Sequence, residues 1–226
     1  LTNGSLTWRR RYEDKRLVKQ SRPLLISCDI LRKEIEKLIE EKRLDVETCF
    51  LDAGLHVIYT QLEKEITSTL EKAKDHEENG IVVVYGDMCH PRIKKIIKKY
   101  GNTIKVDALN CIDCLLGGHK KLLQADPKGC HFFLSPGWMP SNLRKNKYFK
   151  EIFNWNMEGV KEQFEHLDGV ILIDSLNNLD ELKNEIEEFS QHTGLQVISN
   201  KNVGLDGLKA VIDEALKRLQ SNSKLQ

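Results

Sequence analysis

A chain of 226 residues can bury a large core, and 35 Lys plus Arg against 34 Asp plus Glu leave a formal net charge of +1. That balance excludes a global field steering the protein to nucleic acid or an anionic membrane. The longest apolar runs, such as Ile81 to Val84 and Val170 to Ile173, fall far short of the roughly 20 residues that cross a bilayer, so no membrane span is expected.

The chain opens with a polar, basic arm over residues 1–22 that lacks the apolar stretch of a secretory signal. Six cysteines in that context predict thiol or metal chemistry in a reducing, cytoplasmic compartment and not a disulfide scaffold. From residue 23 onward, short apolar runs alternate with longer amphipathic segments. Strands are predicted at Leu24 to Ser27, Val46 to Leu51, Ile81 to Tyr85, Ile104 to Leu109, His131 to Leu134, Val170 to Asp174 and Leu195 to Ser199. Helices are predicted between and after them at Ile30 to Lys42, Val57 to Lys74, Pro91 to Lys99, Cys111 to Gln124, 149–167, Leu179 to Gln191 and Leu205 to Leu219. The implied architecture is α/β: a Rossmann-like, mostly parallel sheet of about six or seven strands flanked by helices, as one domain over residues 23–219 with a polar tail at 220–226.

In open sheets of this kind, ligands bind beyond the carboxyl ends of the strands, where loops and helix N-termini converge. Cys28 closes the first strand; Asp52 and His56 follow the second, Cys89 and His90 the third, and Cys111, Asp113 and Cys114 the fourth. Buried cysteine is common as a small apolar residue, but packing alone would scatter it through strand and helix interiors, as with Cys49. Recurrence at strand ends points to a shared site of Cys28, Cys89, Cys111 and Cys114. Cys111-Ile-Asp-Cys114 at a helix start is the sharpest local signal, its thiol pKa values expected to be lowered by the helix dipole. It reads either as a redox dithiol or as half of a metal site, and soft thiolates select zinc or an iron–sulfur cluster. His56 and His90 are candidate ligands or proton carriers, and Asp113 either orients a ligand or caps its helix. Ser135-Pro-Gly137-Trp138 forms an ordered loop whose glycine permits close backbone approach and whose tryptophan offers a stacking face to a cofactor or substrate. No dinucleotide or Walker A fingerprint is present.

Taken in order, Cys28-Asp-Ile-Leu-Arg-Lys-Glu-Ile-Glu, Leu51-Asp-Ala-Gly-Leu-His56, Tyr85-Gly-Asp-Met-Cys89, Cys111-Ile-Asp-Cys114-Leu-Leu-Gly and Phe133-Leu-Ser-Pro-Gly-Trp138 resemble the family catalogued as domain of unknown function 1638, over about residues 23–200. The family pattern has glycine after the first cysteine, where this chain has Asp29. The resemblance implies an anaerobic bacterial or methanogenic archaeal setting, and a link to corrinoid-dependent methyl transfer with a corrinoid protein or methyltransferase as partner.

Three functions compete. One is a metal-binding protein with a zinc–thiolate or iron–sulfur site, active in methyl or electron transfer. The second is a metal-free accessory module that grips a corrinoid, a small molecule or a partner. The third is an oxidoreductase using only Cys111 and Cys114. The sequence leaves the oligomeric state open.

Overall fold

Leu24, Leu25, Ile26 and Cys28 present no polar face, and Ile81 to Val84 are apolar throughout; such runs are stable as strands only when covered on both sides. The computed structural model describes residues 22–74, 78–144 and 157–223 and places both runs at the centre of a sheet, every residue buried. The strands are β1 (Leu24–Cys28), β2 (Glu47–Leu51), β3 (Ile81–Val84), β4 (Thr103–Lys105), β5 (His131–Leu134), β6 (Gly169–Asp174) and β7 (Val197–Asn202). The helices are α1 (Arg32–Glu40), α2 (Tyr59–Lys72), α3 (Ile93–Ile97), α4 (Cys111–Leu116), α5 (Lys121–Ala125), α6 (Pro140–Arg144), α7 (Met157–Phe164), α8 (Lys183–Thr193) and α9 (Asp206–Ser223).

The expected parallel α/β arrangement holds, but each sheet has fewer strands than the single one expected. One sheet has the order β2-β1-β3-β4 and the other β5-β6-β7, and every strand pairing is parallel. The two share a core: Phe133, Ile171 and Ile173 of the second sheet belong to the same buried cluster as β1 and β3. The last helix, α9, returns to the first sheet and packs on β3, β4 and α4.

The segment predicted as a strand at Ile104 to Leu109 pairs as a strand only to Lys105. Val106 N–H still reaches Val83 O of β3 at 3.1 Å, but beyond it the backbone accepts from the loop after β3, through Asp87 N–H to Ala108 O at 2.9 Å and Met88 N–H to Leu109 O at 2.8 Å. The helix expected from Cys111 to Gln124 is interrupted at Gly117, whose φ of 99° ends α4 in the left-handed conformation. The seventh strand lies later than predicted, and α9 continues to Ser223 through the first residues of the expected polar tail. The basic arm over residues 1–21 and the first part of the helix predicted at 149–167 lie outside the described residues. Among the described residues no helix is long and apolar enough to cross a membrane.

Candidate functional site at the carboxyl edge

The order β2-β1-β3-β4 means that the chain leaves β1 toward β2 and then recrosses to β3 on the other side. The crevice between β1 and β3 is therefore a topological switch point, where adjacent connections diverge and leave room for a ligand. Ser27 pairs with Val84 in the last row of that ladder, so the next residues, Cys28 and Tyr85, lie side by side at the crevice.

Gly86 sets what comes next. A Cβ there would meet the Leu109 backbone at 2.1 Å, so only glycine lets the loop after β3 lie against the loop after β4. That close approach brings Cys89 toward Cys111 and Cys114. The start of α4 is held by Asn110, whose side chain accepts from Asp113 N–H at 2.9 Å. Asp113, fully buried, accepts from the backbone N–H groups of Leu109 at 2.9 Å, Leu122 at 2.8 Å and Lys120 at 3.2 Å. The cap of α4 is thus Asn110 and not Asp113, whose carboxylate instead ties together the segments on either side of the helix.

From the second sheet, the Pro136–Trp138 turn docks on the turn after β1; a Cβ on Gly137 would lie 1.9 Å from Ile30 O. Trp138 thereby reaches across, and its indole Nε1–H donates to Cys111 Sγ at 3.3 Å. His56 Nδ1 lies 3.7 Å from Cys28 Sγ and 3.1 Å from Ala53 O, and the ring also contacts the Cys89 thiol. Its centroid is 5.9 Å from that of Tyr85, stacked, and 6.2 Å from that of Trp138. Cys28 acts electrostatically on Cys111, and both Cys111 and Cys89 act on Cys114. The four cysteines, His56, Tyr85 and Trp138 thus form one neighbourhood.

Burial dominates its electrostatics. Loss of solvent pushes the Cys28 and Cys111 thiols up to about 12, and Cys114 well above its ordinary value, with neighbouring sulfurs adding to the shift at Cys111 and Cys114. The expected lowering by the helix dipole at Cys111 and Cys114 is overturned: α4 has only six residues, and desolvation outweighs its field. Burial acts to lower His56, yet the Cys89 thiol and the Ala53 carbonyl outweigh it and hold the imidazole above its usual value. Because a carbonyl can only accept, Nδ1 carries the hydrogen toward Ala53, which in the neutral ring leaves the lone pair on Nε2.

Of the candidates from sequence, Cys28, Cys89, Cys111, Cys114, His56, Gly137 and Trp138 come together. His90 has other partners: its Nδ1 accepts from Arg92 N–H at 3.1 Å, its Nε2 lies 3.5 Å from Glu63, and its ring meets Tyr59 edge-on. Ser135 is buried, and its hydroxyl has no hydrogen-bond partner among the described residues. Tyr85 escaped the sequence reading; the available signal was its place one residue past an all-apolar strand, level with Cys28.

Four thiols and an imidazole are a soft donor set, which by its chemistry fits a thiophilic metal. Among the described residues no three His, Cys, Asp or Glu side chains already stand in ligating geometry, so closure around an ion requires side-chain rotation. All six cysteines are free. The profile of a family described as "Protein of unknown function (DUF1638)" matches residues 50–212. No curated protein and no solved structure matches the chain.

Proposed function

The chain belongs to the DUF1638 family, and for this member we propose a metal–thiolate protein in which Cys28, Cys89, Cys111 and Cys114, beside His56, hold zinc or an iron–sulfur cluster. The observation that carries this reading is the convergence of four thiols, from chain segments up to 86 residues apart, on the switch-point crevice between β1 and β3. Packing alone gives no reason for cysteine to recur at the ends of successive strands.

Bound there, zinc would supply a stabilised thiolate for methyl transfer, and an iron–sulfur cluster would supply one-electron exchange. The chain's own residues do the rest. Ala53 O fixes the His56 tautomer so that Nε2 is free to ligate. Trp138 closes the crevice from the second sheet and donates to Cys111. Burial keeps the unloaded Cys28 and Cys111 thiols protonated, so loading releases protons and is pH dependent. Free cysteines suit a reducing cytoplasm, and corrinoid-linked methyl or electron transfer, with a corrinoid protein or methyltransferase as partner, is the reaction class that this chemistry would serve.

A second reading, a metal-free accessory module that binds a ligand or a partner, draws on the absence of a ligating triad among the described residues and on the raised thiol pKa values. One experiment separates them. The protein is purified without oxygen, and metals, acid-labile sulfide and the visible spectrum are measured on the same sample, then again for Cys111→Ala. Stoichiometric iron and sulfide, or one zinc, lost in the variant, supports the metal site and chooses its kind. No metal after purification and after reconstitution leaves the accessory module.

A further inference from the structure

Tyr85 is 1% exposed, yet its hydroxyl has no hydrogen-bond partner of ordinary geometry among the described residues. An unsatisfied buried hydroxyl destabilises the fold, whereas phenylalanine would fill the same space without that loss. The oxygen therefore calls for a role. Sulfur lies around it: Cys28, Cys89 and Cys49 all act on the phenol, Cys28 foremost. The ring is fixed by stacking on His56, and the backbone by the β1–β3 ladder, which sets residue 85 beside residue 28. Across the crevice, Trp138 already donates to Cys111 Sγ at 3.3 Å. Trp138 thus supplies Cys111 with a donor from the second sheet, while Tyr85, from the first, lies beside Cys28.

We propose that Tyr85 is a positioning residue whose hydroxyl donates to the Cys28 sulfur once that sulfur carries negative charge, as Trp138 does at Cys111, so that the pair sets the electron density of the two thiolates. This inference rests on the metal–thiolate reading. A donor aimed at a ligating sulfur withdraws charge from it, strengthens retention of the thiolate form and makes the sulfur harder to oxidise or alkylate. Hydrogen bonds to charged groups gain more than those to neutral ones, so the imperfect geometry beside a neutral thiol is where such a bond would tighten on ionisation.

The test is Tyr85→Phe, which removes one oxygen and leaves the ring. Protein reconstituted with cobalt(II) is compared with the variant by the energy of the sulfur-to-metal charge-transfer band and by competition for zinc with a chelator. The expected result is full metal stoichiometry, a band moved to lower energy, and zinc affinity about tenfold weaker at neutral pH; Trp138→Phe should move the band in the same direction. An unchanged band and affinity in Tyr85→Phe overturns the proposal while leaving the metal site standing. If the wild-type protein takes up neither metal, the metal–thiolate reading fails and this proposal, which rests on it, falls with it.

Discussion

Ser175, just beyond β6, donates a 2.7 Å hydrogen bond to Glu34 Oε1 in the first turn of α1, and so joins the carboxyl edges of the two sheets through a carboxyl group with no solvent exposure. Desolvation raises the Glu34 pKa, and the Ser175 hydroxyl and its own backbone N–H, which act to lower it, do not restore it. The neutral acid is thus the form that suits the fold. A raised folded-state pKa means that stability is fully present below the unfolded value and is lost as pH rises through the folded one. Glu34→Gln keeps an acceptor for Ser175 but cannot ionise. Its Tm should stay level over the range in which the wild-type Tm declines, with the two converging in acid. Parallel Tm curves would remove Glu34 as the source of the slope.

Gly137→Ala introduces a methyl 1.9 Å from Ile30 O, backbone against backbone, where no side chain can swing aside. Relief requires the Pro136–Trp138 turn to lift from the turn after β1. Overpacking of this kind costs about 1–3 kcal/mol. The denaturant midpoint should drop, and Trp138 should lose its contact with Cys111, which shows as a red-shifted tryptophan emission in the folded protein. An unaltered midpoint and emission would mean that the two turns do not bear on one another.

Asp113→Ala strands three backbone N–H groups at once, those of Leu109, Lys120 and Leu122. With unsatisfied buried donors costing about 1–3 kcal/mol each, a loss of about 3 kcal/mol or more is expected. Amide exchange should quicken through residues 109–122 ahead of the rest of the chain. Uniform acceleration everywhere would indicate that Asp113 supports global stability without specifically holding the Cys111 loop.

The two candidate histidines should behave differently. His56 touches Cys28 and Cys89, whereas His90 is engaged with Arg92, Glu63 and Tyr59. His56→Ala should weaken metal uptake by about tenfold or more, and His90→Ala should leave its stoichiometry and affinity as they are. Equal losses in titrations of the two variants would contradict this assignment of partners.

Much of this was legible in the residues, and the exceptions have physical causes. Apolar runs at Leu24 and Ile81 announced strands, and their central place in the sheet fits the rule that a covered strand needs no polar face. Partition into two sheets was hidden, since periodicity marks strands but says nothing about which strands pair. Val106 and Ala108 are buried two apart and imitate a strand, although from Ala108 the backbone bonds to the loop after β3. At the site, cysteines could be placed by strand ends alone. His90 misled because it shares that position with Cys89 while bonding the other way, and Tyr85 was overlooked because a tyrosine ending an apolar strand reads as core.

The return of α9 to the first sheet sets an order of assembly. Leu219 of that helix packs against Gly80, and Gly207 at its start lies on the Leu115 carbonyl, so the cover over β3 and α4 is made from the last-synthesised part of the described chain. All four thiols leave the ribosome before the helix that packs on α4. The first sheet is therefore left without this cover until α9 has been made, long after its own four strands have emerged.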